Sequence, residues 1–554
     1  MKPCRYLNTI LLISVLCVTL GAQSGGQPPG ERLSDGERPS DIVLPDITTH
    51  IEGETAAVDP AAVPVVQADD PVPEVNTLPS LAEVRIPPEV YTSEEEKTAA
   101  LKGKNAVFIE GTAGGGYPGV FIGAFSLFQP LGDRSWRLNF SHESALGYQN
   151  RMASRGYFDT DTLFSGEAEF ALSDSVTLNL AGGYDTVTVG MQGRSDYYYN
   201  STAQRIGVDA GVFWELPAGF TLSGGMDGRF LNQYMGYVGS RTPDVYTGMN
   251  LFILEPSAAA GWAGEVFSAR FDAAYRLDAL RDPETDYGHR GEFSLEGACT
   301  VSGFTLTASA GVVVRSDGTL LIPFAVSAAA DLPAKTVIAL SGGMNARPAS
   351  VQDLLRREPF IRMDAAGDTA APEESDWFGS LSVSWAGIPG LTLSGHADFL
   401  KTASGYGEFV SSYEAYGTQA ASVSGLFDRV IWERTMLNTL LLAEYSYKLV
   451  TAAAGWRAHW IDHNRMSAPR QIIGRVAVSP ESGNWGVGIE AAAGLESGYI
   501  PEIALSGFIA IHKGLRIRAE LLDIGTLFDS DGRIRAVPYI KRGPEAIVKL
   551  QLLF

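Results

Sequence analysis

Residues 164–184 read FSGEAEFALSDSVTLNLAGGY, and this stretch alternates between two kinds of side chain. Phe164 and Phe170 belong to the apolar series, and Glu167 and Glu169 belong to the polar series. After Ser-Asp-Ser the alternation resumes. Because successive side chains of a strand point to opposite faces of a sheet, the pattern predicts two strands with one apolar and one polar face. Serine and aspartate between them favour a tight turn.

The same period of two recurs along the chain, for example at 267–276 and 515–521. Its polar series carries charges that we take as candidates for the inner face of a closed sheet: Arg270, Asp272, Arg516, Arg518 and Glu520. A soluble β-sandwich also alternates in this way, with its apolar face in a core. The connections between strands must therefore distinguish a core from a lipid-facing surface.

The predicted connections alternate between short and long. Short turns lie at 172–176, 216–220, 301–304, 331–335, 387–391 and 512–515. Longer connections lie at roughly 145–160, 187–202, 232–247, 347–375, 404–430 and 526–538. An up-and-down membrane barrel has short periplasmic turns and long outer loops. A soluble Greek-key domain would not sort its connections in this manner.

These observations predict an all-β fold, a transmembrane antiparallel up-and-down β-barrel formed by residues 104–554. Alternating segments suggest about 22 strands, within a range of roughly 16–22, since strand boundaries are the least certain part of such a count. The residues available for each strand suit the ~9–11 that a membrane-spanning strand needs. Lipid requires closure, because an open sheet edge would leave backbone groups unpaired.

The N-terminal region has a different composition. Residues 1–22 predict an export signal, with Lys2 and Arg5 before the apolar run 10–20 and a small-residue cleavage site at Ala22. An uncleaved anchor or a lipid attached at Cys17 are the alternatives. Residues 23–103 hold 11 of the 29 prolines and predict a disordered acidic periplasmic linker. It could be a spacer, occlude the lumen, or dock on a periplasmic partner by strand addition.

Composition excludes several classes of protein. The net charge of −22 disfavours nucleic-acid binding, which needs Lys and Arg at phosphates. Cys299 is the single cysteine after the signal, so an internal disulfide is excluded. His459 and His463 would lie far apart along a strand and are not expected to share a metal. We find no enzyme signature and predict no catalytic residue, cofactor or metal.

The C-terminal segment also alternates, and Leu550, Leu552 and Phe554 share its apolar face. A final strand that ends in an aromatic residue is similar to the signal read by the outer-membrane barrel assembly machinery. We therefore predict a bacterial outer-membrane protein whose partners are this machinery and membrane lipid.

One local motif narrows the class. Residues 342–355 read GGMNARPASVQDLL. They resemble the mid-barrel signature of TonB-dependent receptors, and the matching positions are Arg347, Pro348, Ser350, Asp353 and Leu354. The motif ends predicted strand 13 of about 22, where the resemblance expects it. Residues 542–545 likewise stand where that family turns into its last strand.

The resemblance implies a transport barrel coupled to a periplasmic energy source. It departs from the family before the barrel, because the proline-rich residues 23–103 stand where a plug domain is expected and show no βαβ pattern. Asp41, Ile42, Val43 and Leu44 resemble the short box that contacts TonB. Because no plug domain is recognised in this sequence, the family's gated, energy-coupled uptake cannot simply be carried over to it.

Two functions follow as expectations. The first is a transporter or channel for a small solute, because a barrel of about 22 strands has a lumen too wide for side chains alone to fill. Charges such as Arg270 and Arg516 would then set its selectivity. The second is a structural or surface-ligand-binding barrel without flux.

Overall fold

The computed structural model describes residues 107–129, 134–148, 151–239, 246–282, 284–363, 373–417, 424–462, 468–480, 482–496, 500–512, 514–528, 539–540 and 542–553. Within them, 22 strands numbered β1 to β22 in chain order form one antiparallel sheet. They are Phe108–Tyr117, Val120–Gln129, Arg134–Ala145, Asp159–Ser173, Val176–Gly190, Tyr198–Leu216, Phe220–Tyr237, Gly248–Ala263, Phe267–Asp282, Glu284–Val301, Phe304–Arg315, Phe324–Leu332, Thr336–Pro348, Glu373–Ile388, Leu391–Thr402, Thr435–Tyr447, Val450–His459, Arg470–Val478, Trp485–Gly494, Glu502–His512, Leu515–Leu522 and Glu545–Leu553.

The sheet closes on itself. β1 pairs with β2 on one edge and with β22 on the other, in register from Glu110 opposite Leu553 to Tyr117 opposite Ala546. A two-residue segment, Leu320–Leu321, pairs with the end of β11 and is not a further strand of the barrel wall, because β11 also pairs with β12. The prediction of a closed barrel with about 22 strands is confirmed, and the 347–354 motif does end β13.

The outward face is apolar. On β6 the exposed large apolar side chains include Trp214, Val212, Val208 and Ile206, all on one face. Large aromatic residues are exposed on the same face of other strands, among them Phe220, Trp262, Phe267, Phe271, Phe293, Phe304, Trp377, Tyr447 and Trp485. In a soluble protein such a surface would aggregate, whereas a membrane barrel needs it as its lipid contact. The chain is thus an outer-membrane β-barrel.

The connections sort as the sequence predicted. One end of the barrel carries tight turns, such as 174–175, 217–219, 302–303 and 389–390, and both described chain ends lie there. Gly390 has a φ of 79°, and a Cβ there would lie 2.3 Å from the Ser446 backbone oxygen, so the turn requires glycine. The other end carries the long connections, including 349–372, 403–434 and 523–544. By the usual arrangement, the end with long connections is the outer one.

Strand length differs around the barrel. β6 has 19 residues and β7 has 18, whereas β21 has 8 and β22 has 9. Since about 9–11 residues span the membrane, β6 and β7 project beyond it at the outer end. On β6 the outward residues change there from Ile206 to the polar Gln204.

The long connections contain further structure. Their described residues hold two helices, α1, Val351–Arg357, and α2, Ser412–Tyr416, and neither is long and apolar enough to span a membrane. A small sheet joins Ile361–Arg362, Glu408–Ser411 and Phe427–Trp432. Among the described residues, 3₁₀ turns lie in two long connections, at Ala153–Arg155 and Ile524–Phe528, and one forms the tight turn Pro217–Gly219.

Candidate functional site

Two long outer connections fold into the barrel. We call their described residues, 349–363 after β13 and 403–417 with 424–434 between β15 and β16, the inner-loop assembly. The assembly contacts β4 to β8, which are not neighbours of β13 to β16 in the sheet. It therefore crosses the interior from one wall to the other. The sequence predicted the length of these connections but not their inward course.

The motif at the end of β13 builds the first part of this assembly. Pro348 is the last residue of β13, and Ser350 is the N-cap of α1, its hydroxyl accepting a hydrogen bond from the Asp353 backbone N–H at 3.3 Å. Asp353 places a carboxylate in the first turn, where the helix dipole favours it. Arg347 Nε lies 3.2 Å from Glu374 Oε2. Leu354 is buried.

The apolar face of α1 packs against the opposite wall. Val351, Leu354 and Leu355 are buried in one cluster with wall residues of β7 and β8, namely Leu231, Met249, Leu251 and Ile253. Leu251 and Ile253 alternate with the exposed, outward Phe252, so they point inward. Burial of these side chains fixes α1 against the wall through the hydrophobic effect.

The polar face of α1 makes specific contacts on the same side of the barrel. Gln352 Nε2 donates to Asp185 Oδ2 at 3.1 Å, and Arg205 Nη1 donates to Gln352 Oε1 at 2.7 Å. Arg356 Nη2 lies 3.1 Å from both carboxylate oxygens of Asp161. Arg205 is next to Ile206, so α1 lies near the outer boundary of the apolar band.

A second apolar cluster lies on the outer side of the assembly. Tyr539, from the β21–β22 connection, stacks on Phe360 with 3.7 Å between ring centroids, and its hydroxyl donates to the Gly425 carbonyl. Phe427 packs against the same tyrosine. In that connection Arg542 pairs with Glu143 and Asp159 on β3 and β4. Three connections are thus joined over the outer entrance.

Charged side chains are concentrated where the two inner connections meet. Arg357 lies 3.4 Å from Glu408 and 3.8 Å from Glu414, and Arg434 pairs with Glu408. Burial would lower the pKa of Arg357, but Glu414 and Glu408 outweigh this and raise it. Arg357 therefore remains a cation between carboxylates.

A recess of about 460 Å³ opens between α1 and the wall of β3 to β7. Its ionisable lining residues are Glu167, Asp209, Asp227, Asp353, Arg205 and Arg229. Arg229 Nε lies 2.6 Å from Asp227 Oδ1, and Arg205 Nε lies 2.9 Å from Asp185 Oδ2. The recess is therefore polar and contains more carboxylates than arginines.

The predicted lumen-lining charges lie on the face opposite the apolar one. Arg270 Nε donates to Asp272 Oδ1 at 2.9 Å, on the face of β9 opposite the exposed Phe271. On β21, Arg518 Nε lies 2.6 Å from Glu520 Oε1. Arg516 lies 4.4 Å from the centroid of the Phe508 ring. These residues occupy two separate parts of the wall and do not form one cluster.

Other predicted residues fall at or beyond the limits of the described chain. Leu550 and Leu552 lie on β22, and Leu550 is exposed on the outward face. Phe554, residues 1–22, the linker 23–103, and the Asp41, Ile42, Val43 and Leu44 box lie outside the described residues. His459 Nδ1 lies 2.6 Å from Asn438 Oδ1, and His463 is outside the described residues. The part of the chain with described positions holds no group of three or more side chains suited to a metal ion.

Several residues of the site were missed from the sequence. Glu358, Glu408, Glu414, Arg429 and Arg434 gave no recognised motif. One signal was available: Ser411 caps α2 by accepting from the Glu414 N–H at 3.2 Å, and this Ser-x-x-Glu repeats the Ser-x-x-Asp that begins α1. Both patterns mark a helix start inside a long connection.

The described strands form a closed 22-strand outer-membrane barrel, and long outer connections fold into it. The chain has a TM-score of 0.62 with the copper transporter OprC at 11% identity, covering 82% of this chain and 81% of that one. With the siderophore receptor PirA from Acinetobacter baumannii the TM-score is 0.60 at 9% identity, covering 81% of each chain. With the FrpB iron transporter from Neisseria meningitidis (F3-3 variant) the TM-score is 0.59 at 9% identity, covering 84% of this chain and 83% of that one.

Neither a protein-family model nor a curated protein sequence matches the chain. The structural likeness nevertheless confirms the receptor-like barrel that the 342–355 motif suggested. At these identities the likeness establishes the fold and leaves the solute to be argued from the interior.

Proposed function

We propose that this protein is an outer-membrane transporter for a small polar solute, with the inner-loop assembly as the constriction at its outer entrance. The main support for this proposal is the position of α1, which follows β13 in the chain but is anchored on β4 to β8. A 22-strand barrel has a lumen that wall side chains cannot fill. A helix held across that lumen narrows it where a solute would enter.

The recess beneath α1 supports passage of small molecules. Its volume of about 460 Å³ is within the ~300–1,000 Å³ that small-molecule sites occupy. Asp353 on α1 and Asp209 and Glu167 of the wall line this recess together. Because its carboxylates outnumber its arginines, we expect the passage to favour cations over anions. Reversal potentials under a salt gradient measure this preference.

The predicted charges elsewhere on the wall would act further along the passage. Arg270 with Asp272, and Arg518 with Glu520, form close pairs that present both signs to the lumen. We expect these pairs to contribute less to ion preference than the recess, because each cation is already neutralised by its neighbour.

Energy coupling is a separate part of the proposal. The resemblance to siderophore receptors and to copper and iron transporters favours a periplasmic coupling partner. Residues 23–103 would reach that partner, and Asp41 to Leu44 would make the contact. Deleting residues 41–48 should abolish energised uptake while leaving passive conductance unchanged; unchanged uptake would remove the coupling function.

Conductance in planar bilayers tests the transport proposal. We compare the full chain, a chain lacking 23–103, and a chain in which 351–363 is replaced by a Gly-Ser segment of equal length. The matched control replaces residues 316–319 by a Gly-Ser segment of equal length. These residues form a largely exposed outer connection, and they belong to neither of the apolar clusters that the inner-loop assembly forms.

The constriction predicts a larger conductance after replacement of 351–363 and no change with the control. An additional increase on deleting 23–103 would identify the linker as a second barrier. If every variant, including the double change, fails to conduct, the transport function is wrong and the barrel is structural or binds ligands at its surface.

A further inference from the structure

The contact between α1 and α2 places two carboxyl groups in a buried position. Glu358 follows the last residue of α1, and Glu414 lies within α2; both side chains are buried. Arg357 Nη2 is 3.8 Å from Glu414 Oε2, beyond hydrogen-bond length, and that oxygen accepts no hydrogen bond among the described residues. Arg357 therefore compensates the negative charge of Glu414 only weakly, although this carboxylate is buried.

The surrounding charges do not balance when all groups are ionised. Six carboxyl groups meet four arginines here: Asp353, Glu358, Glu374, Asp376, Glu408 and Glu414, against Arg347, Arg357, Arg429 and Arg434. A bound proton lowers this excess of negative charge. Because an excess buried charge is costly, the closed arrangement favours one protonated carboxyl.

Glu358 is the group best placed to hold that proton. Burial, and then the neighbouring Glu414, raise the pKa of Glu358 to about 7, although Arg357 and a hydrogen bond from Ser411 act in the opposite direction. Burial also raises the pKa of Glu414. When α1 and α2 separate, both carboxyl groups return to water and to ordinary acidity.

We propose that the buried carboxyl groups of Glu358 and Glu414 form a proton-operated latch, which holds α1 to α2 while one of them is protonated and loosens when both ionise. Its action as a gate rests on the proposed transport function, whereas the movement itself does not. No bond other than the O–H bond of the carboxyl forms or breaks, and water takes the released proton.

The direction of the pH effect follows from linkage. The closed state binds the proton more tightly than the separated state, so closure is strongest below the ordinary value of 4.5 and weakens as pH rises to about 7. Across that interval the ratio of closed to separated molecules should fall by up to about 300-fold, tenfold for each unit. Above pH 7 it should change little further.

Spin labels on the two helices measure this movement in the full chain in lipid vesicles. The labelled positions are Asp353→Cys on α1 and Tyr416→Cys on α2, both exposed, in a Cys299→Ser background. We expect one short distance at pH 5 and a longer, broader distribution at pH 8.5. Glu358→Gln should keep the short distance at both pH values, since the amide cannot ionise.

The matched control is Glu433→Gln, an exposed glutamate in the same connection, which should titrate like the parent. An unchanged distance in the parent from pH 5 to 8.5, or a full transition in Glu358→Gln, would overturn the latch. Should Glu358→Gln not insert, Glu414→Gln is expected to move the transition to lower pH, because it removes the neighbouring charge but leaves Glu358 buried and ionisable. An unshifted transition would count equally against the proposal.

The two proposals fail differently. A pH-dependent distance in a barrel that never conducts would refute transport and keep the latch. A conducting barrel with pH-independent distances would refute the latch and keep transport.

Discussion

Leu355 anchors α1 on the barrel wall, and its truncation should release the inner-loop assembly. Its side chain is 2% exposed and belongs to the cluster with Leu231, Met249 and Leu251. Replacing a buried leucine by alanine costs roughly 2–5 kcal/mol, because apolar contact is lost and a cavity remains. In the released state this side chain meets water, so the whole cost acts on the closed state.

At the lower end of that range, the ratio of released to closed molecules should rise about 30-fold. Trypsin added from the outer side reports this, since Arg356 and Arg357 lie in α1 and are cleaved only when the helix opens. We expect Leu355→Ala to be cut there at least about 30-fold faster than the parent.

The matched control is Leu320→Ala, at an exposed leucine of another outer connection, which should leave the cleavage rate unchanged. Equal rates for Leu355→Ala and the parent would mean that apolar packing does not hold α1 in place. The inner-loop assembly could not then be a stable constriction.

Three further predictions concern the cap, a buried ion pair and the chain end. Ser350→Ala removes the N-cap of α1, worth about 1 kcal/mol, and should raise the same trypsin cleavage about fivefold; no increase would contradict the capping role. Arg290→Met leaves the fully buried Glu373 without its 3.0 Å partner and should lower the free energy of unfolding in urea by roughly 3–5 kcal/mol. Arg270→Met, at an exposed pair, should lower it by less than about 1 kcal/mol, and similar losses would refute this distinction. Deleting Phe554 should reduce the fraction that inserts, seen as loss of the heat-modifiable folded band on gels, and normal insertion would remove its assembly role.

The barrel could be predicted because its determinants are local. Alternation such as that of 164–184 reports a two-faced strand, and β4 and β5 pair there in the register that the turn sets. The sorting of short and long connections also follows from residues close in sequence. Repetition around the sheet then fixes closure, because no strand can be left with a free edge in lipid.

The inner-loop assembly could not be predicted because its contacts join distant parts of the chain. Gln352 and Asp185 are 167 positions apart, and the Leu355 cluster joins residues on β7 and β8 with a helix after β13. No periodicity carries that information. The motif Arg347 to Leu354 was found from its resemblance, but its physical role, as the cap and first turn of α1, became evident only from the three-dimensional contacts.

The charged cluster shows a second limit of sequence interpretation. Arg357, Glu358 and Glu414 resemble ordinary solvated residues of long loops. Their burial depends on two connections meeting inside the barrel, and burial is what makes their ionisation unfavourable.

Size-dependent labelling of the lumen tests the central claim most directly. Asp209→Cys, in a Cys299→Ser background, places a thiol on the wall of the recess beneath α1. Applied from outside the cell, a small charged thiol reagent should modify it, and a polymer-linked maleimide should not. After replacement of 351–363 both should react, and Asp317→Cys, at the exposed tip of an outer connection, should react with both throughout. If the polymer reagent modifies Asp209→Cys as fast with α1 present as without it, the inner-loop assembly does not constrict the barrel.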